Sequence, residues 1–361
     1  MSKVKWAILG TVGVPGNYGG FETLAENLVR FQSENVNQSE LTVYCSAKAY
    51  KTRPSHYLNA DLRYINLNAN GVQSIPYDMF SLVDAARRGT DVILLLGVSG
   101  ALALPFIRLI SRSHIVTNID GIEWQREKWK GLAKLVLRWS ERAAVRWSHT
   151  VVADNEAIAE HVRETYGSNC KVIAYGGDHA LAAEPDPVAV SGLPDKYALA
   201  LCRVEPENNV EMILQAFTEI DMSLVFVGNW DKSDYSRSLK ARYDEHPNII
   251  LHNAVYAPNT LRAIRDRATM YVHGHSAGGT NPSLVEMMHF GVPILTHDNV
   301  FNRHTTEEKA RYFSTAKQLI DEVLALDADV GAGIGREMME IAQRRYTWSK
   351  IGQAYFKLAE T

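Results

Sequence analysis

The chain alternates short apolar runs with longer amphipathic stretches, and it does so twice. "KWAILG", from Lys5 to Gly10, is an apolar run of strand length. In "GFETLAENLVRF" the apolar residues Phe21, Leu24, Leu28 and Phe31 recur every three or four positions, which predicts a helix with one buried face. "LTVYCS", "LRYINL", "DVILLLG" and "HIVTNID" read as further strands. Runs as uniformly apolar as "DVILLL" suit parallel strands covered on both faces. Near residue 180 the pattern breaks. "HALAAEPDPVAVSGLPDK" is rich in Ala, Pro and Asp and lacks periodicity, so 181–195 is expected to be a linker. The alternation restarts with a strand in "YALALC", a helix in "ENNVEMILQAF" and strands in "SLVFVG", "NIILH" and "TMYVHG". "TWSKIGQAYFKLAE" is an amphipathic helix. This β–α alternation predicts doubly wound parallel sheets. The expected fold is therefore α/β: two Rossmann-like domains, 1–180 and 196–345, with an interdomain cleft. The helix in 346–361 is expected to pack back on the first domain.

Composition narrows the possibilities. The 361 residues suit two domains, each able to bury a core. A net charge of −3 gives no overall case for nucleic-acid binding. Cys45, Cys170 and Cys202 lie far apart, which fits neither a zinc cluster nor a disulfide framework and points to a reducing compartment. "MSKVKWAILG" runs straight into a strand without the apolar core of a signal peptide, and no apolar run reaches the ~18 residues of a membrane span. A cytoplasmic location is expected.

Four stretches carry candidate chemistry. The first, "GTVGVPGNYGGFETLAENL", links a strand to a helix through Gly10, Gly13, Gly16, Gly19 and Gly20. Glycines allow close backbone approach, and a helix start offers amide donors, a pairing suited to phosphate or sugar hydroxyls. It matches neither the dinucleotide fingerprint nor the P-loop. The second, "NIDGIEWQREKW", places Asp120 after a strand, at the carboxyl end of the sheet where such folds bind ligands. Asp120 is a candidate base, or else a turn or capping residue. Glu123 and Arg126 are candidates for sugar hydroxyls or phosphate, and Trp124 and Trp129 for sugar stacking or internal packing. In the third, "LCRVEPENNVEMILQAF", Arg203 follows a strand as a candidate phosphate ligand, with Glu207 and Asn208 at the helix start. In the fourth, "HGHSAGGTNPSLVEMMHF", Gly278, Gly279, Thr280, Asn281, Pro282 and Ser283 lead into a helix. Pro282 suits the first helical position and Asn281 the cap. Amides at Thr280 and Ser283 suit an anion, while Glu286, on the same face as Ser283, suits a ribose diol.

Taken together, "GTVGVPGNYGGFET", "DGIEWQREKW", "RVEPENN" and "HGHSAGGTNPSLVE" make the chain resemble the retaining glycosyltransferase family 4 of GT-B fold, and especially its bacterial rhamnosyltransferase subgroup. The family carries two glutamates eight positions apart in the last motif; here Glu286 is the second and Gly278 stands at the first. It pairs an arginine with a lysine five positions on; here Arg203 is followed by Asn208. Its first-domain histidine is replaced by the region of Asp120. The resemblance implies transfer of a sugar, L-rhamnose from dTDP-L-rhamnose, to a surface glycan or O-antigen intermediate carried on an undecaprenyl diphosphate lipid. It implies no bound cofactor or metal. Asp120 and Arg203 would be catalytic. Gly19, Gly20, Asn208, Gly279, Thr280, Asn281, Ser283 and Glu286 would bind the donor, and Tyr18, Glu123, Trp124 and Arg126 the acceptor. Transfer from another hexose nucleotide, or a nucleotide-sugar epimerase on the same fold, are the alternative readings. A nicotinamide oxidoreductase is disfavoured by the missing dinucleotide fingerprint.

From Arg126 to Trp147 seven Lys or Arg stand against two Glu. Lys134, Arg138, Arg142 and Arg146 follow at four-residue intervals beside Leu132, Leu135 and Trp139, a pattern expected either to lie on the inner face of the cell membrane or to pack with a solvated basic edge.

Overall fold

The computed structural model describes residues 3–16, 19–35, 39–119, 121, 122, 124 and 131–360, apart from the side chain of Leu132. It divides into two compact units, 1–174 with 348–361, and 175–347.

In the first unit the strands are β1 (Val4–Leu9), β2 (Ser39–Ser46), β3 (His56–Tyr57), β4 (Ala60–Ile65), β5 (Val92–Leu96), β6 (His114–Asn118), β7 (Thr150–Ala153) and β8 (Lys171–Val172). They form one sheet in the order β3-β4-β2-β1-β5-β6-β7-β8, parallel except for the β3–β4 pair. β1 sets the register, with Ala7 opposite Thr42 on one side and Ile93 on the other. All of β5 is buried, as its uninterrupted apolar run requires. Helix α1 (Gly20–Glu34) lays Leu24 and Leu28 into the core. Helices α2 (Ser74–Arg87), α3 (Leu104–Ile110), α4 (Gly131–Trp147) and α5 (Glu156–Tyr166) complete the layers. Helix α5 starts at Asn155, whose side chain accepts from the Ala157 amide, and stops at Gly167, whose φ of 66° suits glycine.

The C-terminal helix (Trp348–Phe356) belongs to this unit. Phe356 stacks on Phe31 at 5.9 Å and meets Trp6 edge-on at 5.1 Å. The Asn118 amide donates to the Tyr355 hydroxyl at 2.7 Å. A side chain at Gly352 would collide with the Phe31 ring.

In the second unit the strands are β9 (Tyr197–Leu201), β10 (Leu224–Gly228), β11 (Ile249–Asn253), β12 (Ala268–His273), β13 (Ile294–His297) and β14 (Arg311–Phe313). Their order is β11-β10-β9-β12-β13-β14, parallel throughout. Between the strands lie helices α6 (Val210–Phe217), α7 (Asp234–Tyr243), α8 (Pro258–Asp266) and α9 (Pro282–Met288). The core on one face holds Phe217, Phe226, Trp230, Leu295 and Phe313. The buried Trp230 indole donates to His252 O at 3.0 Å, which satisfies its polar tip.

The stretch expected as a linker, 181–195, is part of this unit. Val190 is buried, its carbonyl accepts from Arg267 Nη1 at 2.9 Å, and the Asp186 amide donates to Asn259 O at 3.1 Å. Its short 3₁₀ turns lack periodicity but have tertiary partners, and the two compact units divide between Ala174 and Tyr175.

Candidate functional site

Each sheet has one place where strand order reverses: between β1 and β5 in the first unit, and between β9 and β12 in the second. Doubly wound folds bind ligands beyond the carboxyl ends of the strands at such points. The loop after β1 carries the first glycine-rich stretch. The loops after β9 and β12 carry the Arg203 and Gly278–Gly279 stretches.

The loops after β9 and β12 are stitched together. Ser276 donates to Glu207 O twice, from its amide at 3.1 Å and its hydroxyl at 2.8 Å. The Asn209 amide side chain reaches Gly274 O at 2.8 Å. Gly274 lies so close to the Asn208 carbonyl that any Cβ there would overlap it. The next strand end joins in, with Asn299 and Asn302 both donating to His275 O, at 2.8 and 3.0 Å. Two of the motifs far apart in sequence thus form one braced surface.

Within it, Arg203 is partly exposed and lies 3.5 Å from Glu205, an ion pair loose enough to leave the guanidinium able to receive an anion. Asn208 behaves differently from its expected donor-binding role. It is 2% exposed, and its amide donates to Arg203 O at 2.7 Å, so here it braces the arginine loop. Asn281 caps helix α9 (Pro282–Met288): its side-chain oxygen accepts from the Ser283 amide at 3.0 Å and hydroxyl at 2.7 Å. Ser283 also accepts from Tyr271 at 3.1 Å. The Ser283 amide expected to point at an anion is therefore used by the cap. Thr280 is buried and Gly279 half-buried. Gly278 has φ 105°, and a Cβ added there would meet nothing within 4 Å. A glutamate at this position would strain the backbone, which is a reason for glycine independent of any ligand.

Glu286 is buried on α9 between two nitrogen donors. Arg265, on helix α8 (Pro258–Asp266), holds one carboxylate oxygen through Nη2, and His179 lies 3.3 Å from the other. Burial alone would raise its pKa, but the Arg265 charge and the His179 contact together bring it below the ordinary carboxylate range. Sequence reading did not find Arg265 or His179. The available signal was "YGGDH", where Gly177 packs so close to the Val285 carbonyl that no side chain fits. The histidines of "YVHGH" lie at the end of β12. The rings of His273 and His275 stack at 4.4 Å, and burial, then the neighbouring His275 and His297, push His273 well below its ordinary value, so it is neutral.

The first-unit loop is organised otherwise. Glu22 accepts from the Val12 amide at 2.8 Å and the Thr11 hydroxyl at 3.1 Å, and Glu26 accepts from the Gly16 amide at 2.8 Å. Tyr77 donates to Thr11 O and Tyr50 to Pro15 O, each at 3.0 Å. Gly19 has φ 133°, and a Cβ there would run into the Glu22 carboxylate. Two of the amides that glycine richness offers to a phosphate are thus taken by carboxylates, and those charges disfavour an anion beside Gly19 and Gly20. The loop suits neutral hydroxyls.

Tyr18, Asp120, Glu123, Arg126 and Trp129 lie outside the described residues. Trp124 is described, and its expected acceptor contact meets a competing use. Its indole donates to the buried Glu141 at 3.0 Å, and Lys134 and Arg138 sit over its ring at 5.7 and 5.5 Å. Glu141 also accepts from Tyr166 at 2.7 Å and lies 3.1 Å from His161. The Trp124 side chain is therefore held against helix α4. Burial pushes Cys45 up to about 11 and Cys202 up to about 12, so neither is a thiolate nucleophile. Among the described residues, no group of three His, Cys, Asp or Glu is placed to hold a metal, and no helix is long and apolar enough to cross a membrane.

Residues 3–178 match the family described as Domain of unknown function (DUF1972), and residues 187–325 that described as Glycosyl transferases group 1. No curated protein matches the sequence. The fold is similar to that of sucrose-phosphate synthase from Thermosynechococcus elongatus, with a TM-score of 0.82 at 15% identity over 99% of this chain and 98% of that one. It is similar also to HepE of Anabaena in complex with UDP-glucose, with a TM-score of 0.72 at 16% identity over 99% and 98%. A glycosyltransferase from Rickettsia africae ESF-5 has a TM-score of 0.73 at 10% identity over 100% and 98%. At such identities the likeness concerns the fold. Residues 3–178 are thus similar to DUF1972 and residues 187–325 to the group 1 glycosyl transferases, on two parallel-sheet Rossmann-like units that match the GT-B fold.

Proposed function

We propose that the protein transfers a sugar, with retention, from a nucleoside diphosphate donor to a glycan acceptor, and that the donor is dTDP-L-rhamnose. The observation that carries the transferase reading is the braced surface at the β9–β12 strand-order reversal, with Arg203 beside the loop that leads to Glu286. In this reading Arg203 and the backbone amides around Gly279 and Thr280 take the diphosphate and offset the charge of the leaving group. Glu286 takes the ribose diol. Its two oxygens offer about four acceptor sites, and two partners leave room for more. The complex of HepE with UDP-glucose supports a nucleotide sugar. Gly19 and Gly20 are assigned to sugar hydroxyls, Asp120 to the reacting centre, and Tyr18, Glu123, Trp124 and Arg126 to an acceptor carried on a polyprenyl diphosphate. Rhamnose is supported by Gly278, which leaves open space and no carboxylate where the resembled family contacts a more hydroxylated hexose.

Nucleotide release from dTDP-L-rhamnose, UDP-glucose, UDP-galactose and GDP-mannose, with and without acceptor, is the test. Acceptor-dependent release with preference for dTDP-L-rhamnose is expected. A preferred hexose donor removes rhamnose and leaves the transferase, whereas donor isomerisation without acceptor replaces the transferase by an epimerase. Asp120→Asn should lower turnover with little change in donor affinity, since it removes charge where the transition state needs it.

A further inference from the structure

Two neighbouring helices of the first unit carry exposed apolar side chains on their outward faces, with exposed cations among them. β5, β6 and β7 are adjacent and parallel in chain order, so right-handed crossovers put α3 and α4 side by side in one layer. Arg108 on α3 reaches the carbonyl of Trp147 at the end of α4 at 3.4 Å. The inward faces are ordinary core: Leu104 and Ile107 on α3, Leu137, Ala144 and Val145 on α4.

The outward faces are not those of an ordinary solvated helix. On α3, Phe106 is 55% exposed, Leu109 85% and Ile110 45%; on α4, Leu135 is 50% exposed and Trp139 65%. On α4, Leu135, Trp139, Arg142 and Arg146 fall within a narrow arc of the helical wheel. Arg108, Arg112, Lys134 and Arg138 are exposed around them. The single acid of the two helices, Glu141, is buried and satisfied by Trp124, His161 and Tyr166, so it contributes nothing to the outer surface. Sequence pattern marks α4 alone as amphipathic and basic; the structure adds α3 and shows that Leu135 and Trp139 are not spent on the core.

We propose that the outward face of α3 and α4 lies flat on an anionic lipid surface, with Phe106, Leu109, Ile110, Leu135 and Trp139 entering the interface and the surrounding cations meeting headgroup phosphates. A second copy is disfavoured, because a two-fold contact through this face would oppose cations to cations. A tryptophan and aliphatic side chains ringed by long basic ones match the interface between hydrocarbon and headgroups. Nothing in this inference depends on the sugar chemistry.

Flotation with vesicles of phosphatidylcholine alone, and of phosphatidylcholine with about a third phosphatidylglycerol, tests it. The full chain should float with the anionic vesicles at low salt, weakly at high salt, and not with phosphatidylcholine alone. Arg142→Glu with Arg146→Glu should cut binding at least tenfold, as should Leu109→Ser with Trp139→Ser. All four side chains are exposed, and circular dichroism checks that the variants remain folded. Failure to float with anionic vesicles at low salt overturns the proposal, as does flotation unaltered by both double variants. A salt-resistant dimer that Trp139→Ser dissociates, without vesicle binding, assigns the face to a protein contact and equally overturns it.

Discussion

The two glycine-rich turns, one after β1 and one after β12, look alike in sequence and differ in charge. Both leave a buried parallel strand, each contains at least one glycine with positive φ, and both open a helix with a carboxylate in or just beyond its first turn. In the first, Glu22 and Glu26 turn back onto the loop and consume its amides. In the second, an uncharged Asn281 caps the helix and Glu286 is turned away onto Arg265 and His179. A glycine-rich turn is therefore not in itself an anion site. What the following carboxylate binds decides whether negative charge is welcome.

Removing Arg265 attacks that difference most directly. Arg265→Met leaves Glu286 buried without its main cation, and a loss of about 3–5 kcal/mol of stability is expected in urea unfolding at pH 7. The pH dependence should change sign as well. With its pKa held below the unfolded value, the native Glu286 contributes stability that is present above the unfolded pKa and lost as pH falls through the folded one. Without the arginine, burial dominates and the carboxyl titrates above its unfolded value, so the deficit of the variant should shrink between pH 7 and pH 5. A deficit that grows on acidification would mean that Glu286 does not depend on Arg265.

The next effect separates the loops by function. Glu22→Ala strips the Val12 amide and Thr11 hydroxyl of their acceptor and should cost about 1.5–3 kcal/mol of stability, while leaving nucleoside diphosphate affinity within about twofold. Glu286→Ala should weaken that affinity by about 10–100-fold, equivalent to one or two charge-assisted hydrogen bonds. Calorimetric titration of both variants with dTDP and UDP compares them. Equal losses would erase the distinction drawn above.

The smallest effect is expected at Gly278. Gly278→Ala meets open space and pays only for its backbone conformation, about 1–2 kcal/mol, whereas Gly19→Ala adds a collision with Glu22 and should lower the melting temperature further. A Gly278→Ala protein that melts with the wild type would show that the loop adopts another conformation.

Strands and helices were legible because each is written in a local period: "VILLL" is buried at every position, and Leu24 and Leu28 fall on one face of α1. The Asn281–Pro282 start of α9 was legible too, since capping is a matter of adjacent residues. What escaped was the use made of polar side chains. That Glu22 faces a backbone amide ten residues earlier, or Glu286 an arginine from another helix, depends on how elements stack, and no spacing rule encodes it. The resemblance placed Asn208 at the donor, where the family has a lysine; the turn at Pro206–Asn208 adds that its amide is aimed at the carbonyl of Arg203, a use that no spacing encodes. The stretch around Val190 was read as linker because its hydrogen-bond partners, Asn259 and Arg267, come from α8 and the residue after it.

Helix Trp348–Phe356 ties the first unit to the order of synthesis. The ribosome delivers residues 1–174 first, yet Trp6, Phe31 and Asn118 receive Phe356, Gly352 and Tyr355 only after the whole of 175–347 has emerged. A nascent chain from which residues 175–347 have emerged but the last helix has not would hold a finished second unit and a first unit with an apolar seam still uncovered. The part made earliest is the last to close, and during that interval the seam is where a chaperone would find this chain.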